Sequence, residues 1–197
     1  MSTHHLTIPL IDQDIEILEA GDIVYLSGLI YTSRDMGHRR ISDLLEEEKP
    51  LPVDFQGSVI FHAGPVVIKN NERWKLSVIG PTTSIRMEPY AEMVAKLGVK
   101  AIIGKGGMNS GSLDCFKKYK QVYLQAPPGC AVKLGMAISE IKSVYWLDFG
   151  MPEALWVLEV NNFGPLIVTM DCKDMSLHQL IKNDALVIME QLFKCHF

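Results

Sequence analysis

The chain has 197 residues, 48% of them hydrophobic, and a formal net charge of −4 from 19 basic and 23 acidic residues, which suits a single domain, 1–197, with a sizeable core. The charges are mixed along the sequence, so there is neither a basic footprint for nucleic acid nor a like-charge tail. No apolar stretch reaches the ~18 residues of a membrane span, the first residues lack the basic-then-apolar order of a secretory signal, and the expected location is the cytoplasm.

Residues 11–18 alternate Asp, Ile and Glu and read as a half-exposed strand. Gly21-Asp22 marks a turn. A second strand follows over 23–31, rich in strand formers and interrupted by Gly28. Thr32-Ser33-Arg34-Asp35 then opens a helix that runs through 36–49 and stops before Pro50. Arg34 and His38 are four apart and share a face near its start; the plain alternative is a solvated face with Asp35 serving the dipole. Pro50-Leu51-Pro52 connects to a short buried strand at 58–62, which leads into a turn at Ala63-Gly64-Pro65. Residues 66–69 and 73–79 form a β-hairpin with a polar tip at Asn70-Asn71. His62, at a strand end, suits a ligand or a base, although a lone His there is more often a satisfied structural group.

The stretch Gly80-Pro81-Thr82-Thr83-Ser84-Ile85-Arg86-Met87-Glu88-Pro89-Tyr90 leaves the hairpin and opens a segment with helical spacing. Free N–H groups and the dipole at a helix start favour an anion. Arg86 follows Thr83 and Thr82 by three and four residues, so a helical turn brings the three to one side. Its guanidinium is a fork matched to a carboxylate or phosphate. The same residues also suit a bare helix start, with Thr as N-cap and Arg as a surface charge.

An amphipathic helix over 88–97 stops at Gly98, and 99–103 is a buried strand. Gly104-Lys105-Gly106-Gly107-Met108 follows as a strand-to-helix turn with one lysine at its centre. It is neither a phosphate loop nor a dinucleotide fingerprint; glycines let backbone N–H groups approach a ligand, and Lys105 adds a point charge. The alternative is a tight turn with a surface lysine. Strand 121–125, helix 131–139 and strand 144–149 come next. Strands alternating with helices over 99–149 predict β–α–β units and a parallel sheet. Residues 156–160 and 166–170 read as two strands around 161–165, and 177–193 as a closing helix. Trp146, Trp156 and the methionines read as core.

The four cysteines, Cys115, Cys130, Cys172 and Cys195, are widely and irregularly spaced, so this chain alone is not expected to hold a zinc or iron–sulfur site. Cys130 follows Pro127-Pro128-Gly129 at the start of a helix, where a thiol pKa falls; the alternative is a small core residue. Arg34, Arg86 and Lys105 each follow a predicted strand. In α/β sheets ligands collect at the carboxyl ends of strands, so the three suit one ligand with two negative groups, near Thr82 and Thr83. A small dicarboxylate fits better than a nucleotide. Each charge-assisted hydrogen bond to it is worth about 1.5–3 kcal/mol.

At these residues the sequence resembles the class I, iron–sulfur-dependent fumarate hydratases. The resemblance lies in Gly80-Pro81-Thr82-Thr83-x-x-Arg86-Met87, Thr32-Ser33-Arg34-Asp35-x-x-His38-Arg39-Arg40, His62-Ala63-Gly64-Pro65, Gly104-Lys105-Gly106-Gly107-Met108 and Gly150-Met151-Pro152-Glu153-Ala154-Leu155-Trp156. It runs in order over nearly the whole chain. The chain looks like the β subunit of a two-subunit enzyme, equivalent to the C-terminal domain of the single-chain form; L(+)-tartrate dehydratase has a closely similar β subunit.

The resemblance implies a hydro-lyase interconverting (S)-malate and fumarate plus water. It places a 4Fe–4S cluster, with three cysteine ligands, on a partner α subunit, where an open iron site acts as the Lewis acid that removes hydroxide. This chain is then expected to be inactive alone and to assemble as a homo-oligomer or heterotetramer. Thr82 falls at the position proposed as the base for the carbon-bound proton. Thr83, Arg86, Arg34 and Lys105 fall at positions that bind the substrate carboxylates. A free Thr hydroxyl is a weak base and needs activation. Ser33 and Gly37 depart from the family pattern, where Ala is frequent, and leave Arg34 intact. The implied fold is a swivelling β/β/α domain with a parallel sheet, a second antiparallel sheet and a helical layer; the residues alone lead only to α/β. From other classes, a non-catalytic dicarboxylate-binding module and a thiol enzyme built on Cys130 stand as alternatives.

Overall fold

The computed structural model describes residues 1–70 and 73–194. In chain order it runs β1 (Thr3–Thr7), α1 (Asp12–Glu16), β2 (Ile23–Thr32), α2 (Asp35–Glu46), β3 (Val59–Phe61), β4 (Ala63–Asn70) and β5 (Arg73–Pro81). A 3-10 helix (Ser84–Tyr90), α3 (Ala91–Lys96), β6 (Ala101–Gly104), α4 (Ser110–Tyr119), β7 (Val122–Gln125) and α5 (Ala131–Met136) follow. The chain closes with β8 (Ile138–Tyr145), a short 3-10 helix (Leu147–Phe149), β9 (Leu155–Met170) and α6 (Leu177–Lys194).

The main sheet has the order β1-β2-β3-β6-β7-β9-β8. It is parallel from β1 to β7 and antiparallel at both edges of β9. β2 also pairs antiparallel with β9, from Ile23 opposite Ile167 to Tyr31 opposite Val157. Strands β2, β3, β6, β7 and β9 therefore close into a ring, which leaves no free edge among those five. The β4–β5 hairpin is a second, antiparallel sheet. The architecture is thus mixed α/β, with a mixed main sheet, a separate antiparallel sheet and helices.

The pleat sorts the core into two halves. Val59 and Phe61 of β3 pack one way, with Ala101, Ile103, Trp156 and Leu158. Ile60, between them, packs the other way, with Ile41 of α2, Val94 of α3 and Phe116 of α4. Each such fully buried side chain contributes about 1.5–3 kcal/mol of transfer free energy.

Several expectations are corrected. Residues 11–18 hold the helix α1, not a strand. Ile15 and Leu18, three apart, are the fully buried pair, and the Asp14 carboxylate accepts the Ile11 N–H at 2.9 Å to close the first turn. The Asp/Ile/Glu alternation carried no burial, since Ile11 and Ile17 face solvent. Ala63-Gly64-Pro65 is not a turn but the start of β4, with Ala63 opposite Pro81 and Gly64 opposite Gly80. Of the hairpin tip, Asn70 ends β4 and Asn71 lies outside the described residues. The segment after Pro81 winds as a 3-10 helix with Pro89 inside it, and the α-helix starts only at Ala91. The helix over 131–139 stops at Met136, and Ile138 and Ser139 belong to β8. β8 ends at Tyr145, and Leu147–Phe149 is a 3-10 turn after Trp146 at φ 61. The β–α–β expectation over 99–149 holds for β6 and β7, which are parallel, whereas β8 returns antiparallel.

The largest correction concerns residues 155–170. They form one strand, not two around a loop. Between the pairs Val24–Leu166, Leu26–Phe163 and Gly28–Val160, β9 twice spends three residues against two of β2. These bulges absorb the Asn, Gly and Pro residues that read as a loop. Gly28 lies opposite them at φ 116, and a Cβ there would stand 2.8 Å from the Ile8 carbonyl oxygen. A strand at 3–7, absent from the sequence expectations, adds to β2 in parallel. Among the described residues, no helix is long and apolar enough to cross a membrane.

Candidate functional site

Backbone hydrogen bonds stitch the ends of four strands side by side. Ser33 N–H donates to the Phe61 carbonyl at 3.1 Å, and His62 N–H to that of Ile103 at 2.8 Å. Thr82 N–H donates to the His62 carbonyl at 2.7 Å, Lys105 N–H to Thr82 at 3.2 Å, and Ser84 N–H to Lys105 at 3.1 Å. Thr83 and Lys105 also form an isolated parallel bridge. The segments carrying Arg34, Thr82, Thr83, Arg86 and Lys105 are thereby brought together at the carboxyl ends of β2, β3, β5 and β6.

The two arginines are engaged by the protein's own carboxylates. Arg86 donates to both oxygens of Asp35, at 3.1 Å from Nε and 2.7 Å from Nη2, and Nη2 also reaches Thr82 Oγ1 at 3.2 Å. Arg34 meets Glu153 Oε1 at 3.1 Å, while Glu153 Oε2 accepts the Met36 N–H at the start of α2. Nε of Arg34 is buried with no partner. A Cβ on Gly64 would stand 2.9 Å from the Arg34 guanidinium and 2.7 Å from the Pro152 carbonyl oxygen, so the Gly-Pro of β4 is the clearance that seats Arg34. Lys105 makes no ion pair among the described residues.

Thr83 makes no capping bond to the 3-10 helix it precedes. The N-terminus of α4, beyond the glycine turn, is filled by Glu88, whose carboxylate accepts Asn109 N–H at 2.9 Å, Ser112 N–H at 2.9 Å and the Ser112 hydroxyl at 2.7 Å. The start of α4 is thus occupied by the protein's own carboxylate.

Behind these residues lies a buried polar layer. His38, for which a solvated face was the plain alternative, is 1% exposed. It shares its inward face with Ile41, three residues on. His38 Nδ1 lies 2.9 Å from both the Ser33 hydroxyl and the Arg34 carbonyl. His62 is fully buried, with Nδ1 2.9 Å from Ser84 Oγ, which also accepts the Tyr123 O–H at 2.8 Å. The two imidazoles meet edge to face, centroids 5.1 Å apart, and each Nε2 is buried without a partner. His62 is thus neither exposed as a ligand nor fully satisfied. Burial pushes the His38 pKa down to about 4, against the pull of the Arg34 carbonyl and Asp35. Burial first, then His38 and Arg86, hold His62 well below its ordinary value. Both rings are neutral at pH 7.

Asp35, Glu153, Ser84 and Tyr123 went unassigned in the sequence. The first three stand inside the quoted motifs, but only the fold reveals what they touch.

The thiols do not fit a metal cluster. Cys115 lies on α4, Cys130 directly before α5 and Cys172 after β9; Cys195 lies outside the described residues. Burial raises the pKa of Cys115 and Cys172, away from the thiolate that ligates metal. Among the described residues no three His, Cys, Asp or Glu gather into a metal-holding group. A cleft of about 650 Å³ between α4 and α6, lined by Met108, Leu113, Met170, His178 and Leu186, shares Gly106 and Met108 with the glycine turn and none of the five residues above.

A family model described as "Fumarase C-terminus" matches residues 2–181. A protein of Methanocaldococcus jannaschii named "Putative L(+)-tartrate dehydratase subunit beta" is 46% identical over 185 residues, covering 93% of this chain and 95% of its own. The "L(+)-tartrate dehydratase subunit beta" of Escherichia coli K12 is 44% identical over 167 residues, covering 84% of this chain and 82% of its own. A Geobacillus stearothermophilus protein named "Putative fumarate hydratase class I" is 40% identical over 188 residues, which are 94% of this chain but 35% of that longer protein.

Proposed function

The chain belongs to the Fumarase C-terminus family, and we propose that it is the β subunit of a hydro-lyase interconverting (S)-malate with fumarate and water. The observation that carries this reading is the gathering of three cations and two threonine hydroxyls on strand ends sewn together by backbone hydrogen bonds. In this reading Arg34, Arg86, Lys105 and Thr83 bind the two carboxylates. Thr82 takes the proton from carbon. The Arg86 cation, 3.2 Å from Thr82 Oγ1, favours the anionic form of that hydroxyl and so supplies part of the activation that a threonine base needs.

Hydroxide leaves from the neighbouring carbon and needs an electrophile. Among the described residues the donor set does not fit one, so in this reading the 4Fe–4S cluster is assigned to a partner α subunit and the isolated chain is inactive. The Geobacillus relative supports this division, because this chain matches about a third of a protein named as a whole fumarate hydratase. The finer fold assignment, a swivelling β/β/α domain spanning 1–197, a cytoplasmic location and a heterotetrameric assembly belong to the same proposal. A second reading, L(+)-tartrate as substrate, draws on the 44–46% identity to chains named for that activity.

The test is to co-purify the chain with an α subunit, reconstitute iron and sulfide anaerobically, and assay both substrates. Malate turnover is expected; turnover of neither substrate by a loaded complex rejects the hydro-lyase. Thr82→Ala is expected to lower kcat by about 10²–10⁴ with the complex intact, and unchanged turnover excludes the base role. Tight malate binding to the isolated chain, by calorimetry, would instead favour the non-catalytic module. The internal pairing of Arg34 and Arg86 predicts weak binding there.

A further inference from the structure

The hydrogen-bond inventory of the buried layer fixes its direction. The Arg34 carbonyl can only accept, so the Nδ1 atom of His38 that it meets at 2.9 Å carries the hydrogen. Nε2 of His38 is therefore a bare acceptor. The Tyr123 hydroxyl donates to Ser84 Oγ. That leaves the Ser84 hydrogen for His62 Nδ1. Nδ1 of His62 is then the acceptor, and its Nε2 carries the hydrogen. The reverse tautomer would bring two donors to Ser84 Oγ and leave the Ser84 hydrogen with nowhere to go. The two orphaned Nε2 atoms are thus of opposite polarity, one donor and one acceptor, on rings 5.1 Å apart.

We propose that His38 and His62 are positioning residues, locked in opposite tautomers by this directional chain, and that the chain sets the placement of Thr82 and Arg34. It reaches the backbone of two of the cation-bearing segments. The His62 carbonyl holds the Thr82 N–H at 2.7 Å. His38 holds the Arg34 carbonyl. Neither imidazole bonds the Thr82 hydroxyl or a guanidinium, so the role is positioning rather than catalytic. Asp35, Arg86, Tyr90 and Tyr123 are the titratable or charged groups that face the pair. The tautomers stand on hydrogen-bond geometry alone; the consequence for Thr82 rests on the hydro-lyase reading.

The experiment is long-range ¹H–¹⁵N correlation on the full chain with ¹⁵N-labelled histidine, with signals assigned from His38→Gln and His62→Gln. At pH 7 His38 is expected to be protonated at Nδ1 only and His62 at Nε2 only. A charged ring, or the same tautomer at both, overturns the proposal. Tyr123→Phe keeps the ring and removes the O–H that orders Ser84. It should convert the His62 signal to a tautomer mixture. In the reconstituted complex it should lower kcat about tenfold or more, with KM for malate held within about threefold. If the wild-type complex turns over and Tyr123→Phe, folded by circular dichroism, keeps its kcat, the positioning role is wrong. If the wild-type complex turns over neither substrate, the hydro-lyase reading fails while the tautomer result stands or falls by itself.

Discussion

Acid should weaken this fold earlier than its carboxylates alone would predict. His38 and His62 are buried and neutral, whereas in the unfolded chain each binds a proton near pH 6.5. Between about pH 6.5 and the lower native values the unfolded state holds more protons, so stability rises with pH across that window. The contribution is complete above pH 6.5, is lost as pH falls through the native pKa, and is constant below it. For His38, held at about 4, one pKa unit is worth about 1.36 kcal/mol. The full contribution is about 3 kcal/mol, of which about 2 kcal/mol is gone at pH 5. His62, depressed in the same direction, and the lowered His178 act with the same sign. Asp22 is lowered too, but its contribution is lost only below its ordinary value of 3.8, outside this window. Urea unfolding at pH 8, 6.5, 5.5 and 5, followed by fluorescence with the fully buried Trp156 as a core reporter, measures the slope. Loss of at least about 2 kcal/mol between pH 8 and 5 is expected. A flat unfolding free energy across that range would refute the account of two buried neutral imidazoles.

Gly104→Ala should be among the more damaging single-methyl additions. Its Cβ would collide with Ser84 Oγ and stand 2.8 Å from the Tyr123 hydroxyl; a loss of about 1–3 kcal/mol by thermal melting is expected, and an unchanged midpoint would mean the buried layer yields easily. Asp35→Asn removes the carboxylate that occupies the Arg86 fork. This half-exposed pair is worth less than about 1 kcal/mol of stability, so the variant should fold normally, and calorimetry should show tighter malate binding to the isolated chain; weaker binding would show that Asp35 aims Arg86 rather than competing for it.

The parts of the fold that were legible are those written locally. β6 and β7 are apolar runs closed by Gly or Gln, α2 starts at Asp35 where the sequence placed it although it ends at Glu46, short of Pro50, and the hairpin arms carry their own strand formers. The ring closure was not legible, because β2 meets β9 across more than a hundred residues of chain and each reads as an ordinary strand. β9 was cut in two because Asn161, Asn162, Gly164 and Pro165 are loop residues wherever no bulge accommodates them, and the bulge is set by its partner's Gly28. α1 misled because polar and apolar residues alternate there, while burial follows Ile15 and Leu18. At the site, five residues could be named from their type and place at strand ends and from the family resemblance. Their internal partners could not. Arg86 meets Asp35 across 51 positions, and nothing at Arg34 points to Glu153 before the chain is folded. His38 had a weak signal, its three-residue spacing from Ile41, which polar neighbours on both sides obscured.

On the proposed reading, the cations of this chain recognise what malate and tartrate have in common. Both are four-carbon dicarboxylates, and guanidinium and ammonium groups bind carboxylates without sensing a further hydroxyl on the carbon between them. Discrimination by a hydroxyl requires a polar group that is satisfied by one substrate and left unpaired by the other. In this set that group is Thr83. Thr82 is engaged by Arg86, whereas Thr83 makes no capping bond and stands beside Lys105 in the Thr83–Lys105 bridge. Thr83→Val keeps the shape and removes the hydroxyl. The ratio of kcat/KM for tartrate to that for malate should then change by at least about tenfold in the reconstituted complex. An unchanged ratio, with both values intact, would move substrate choice off this chain and onto the cluster-bearing partner.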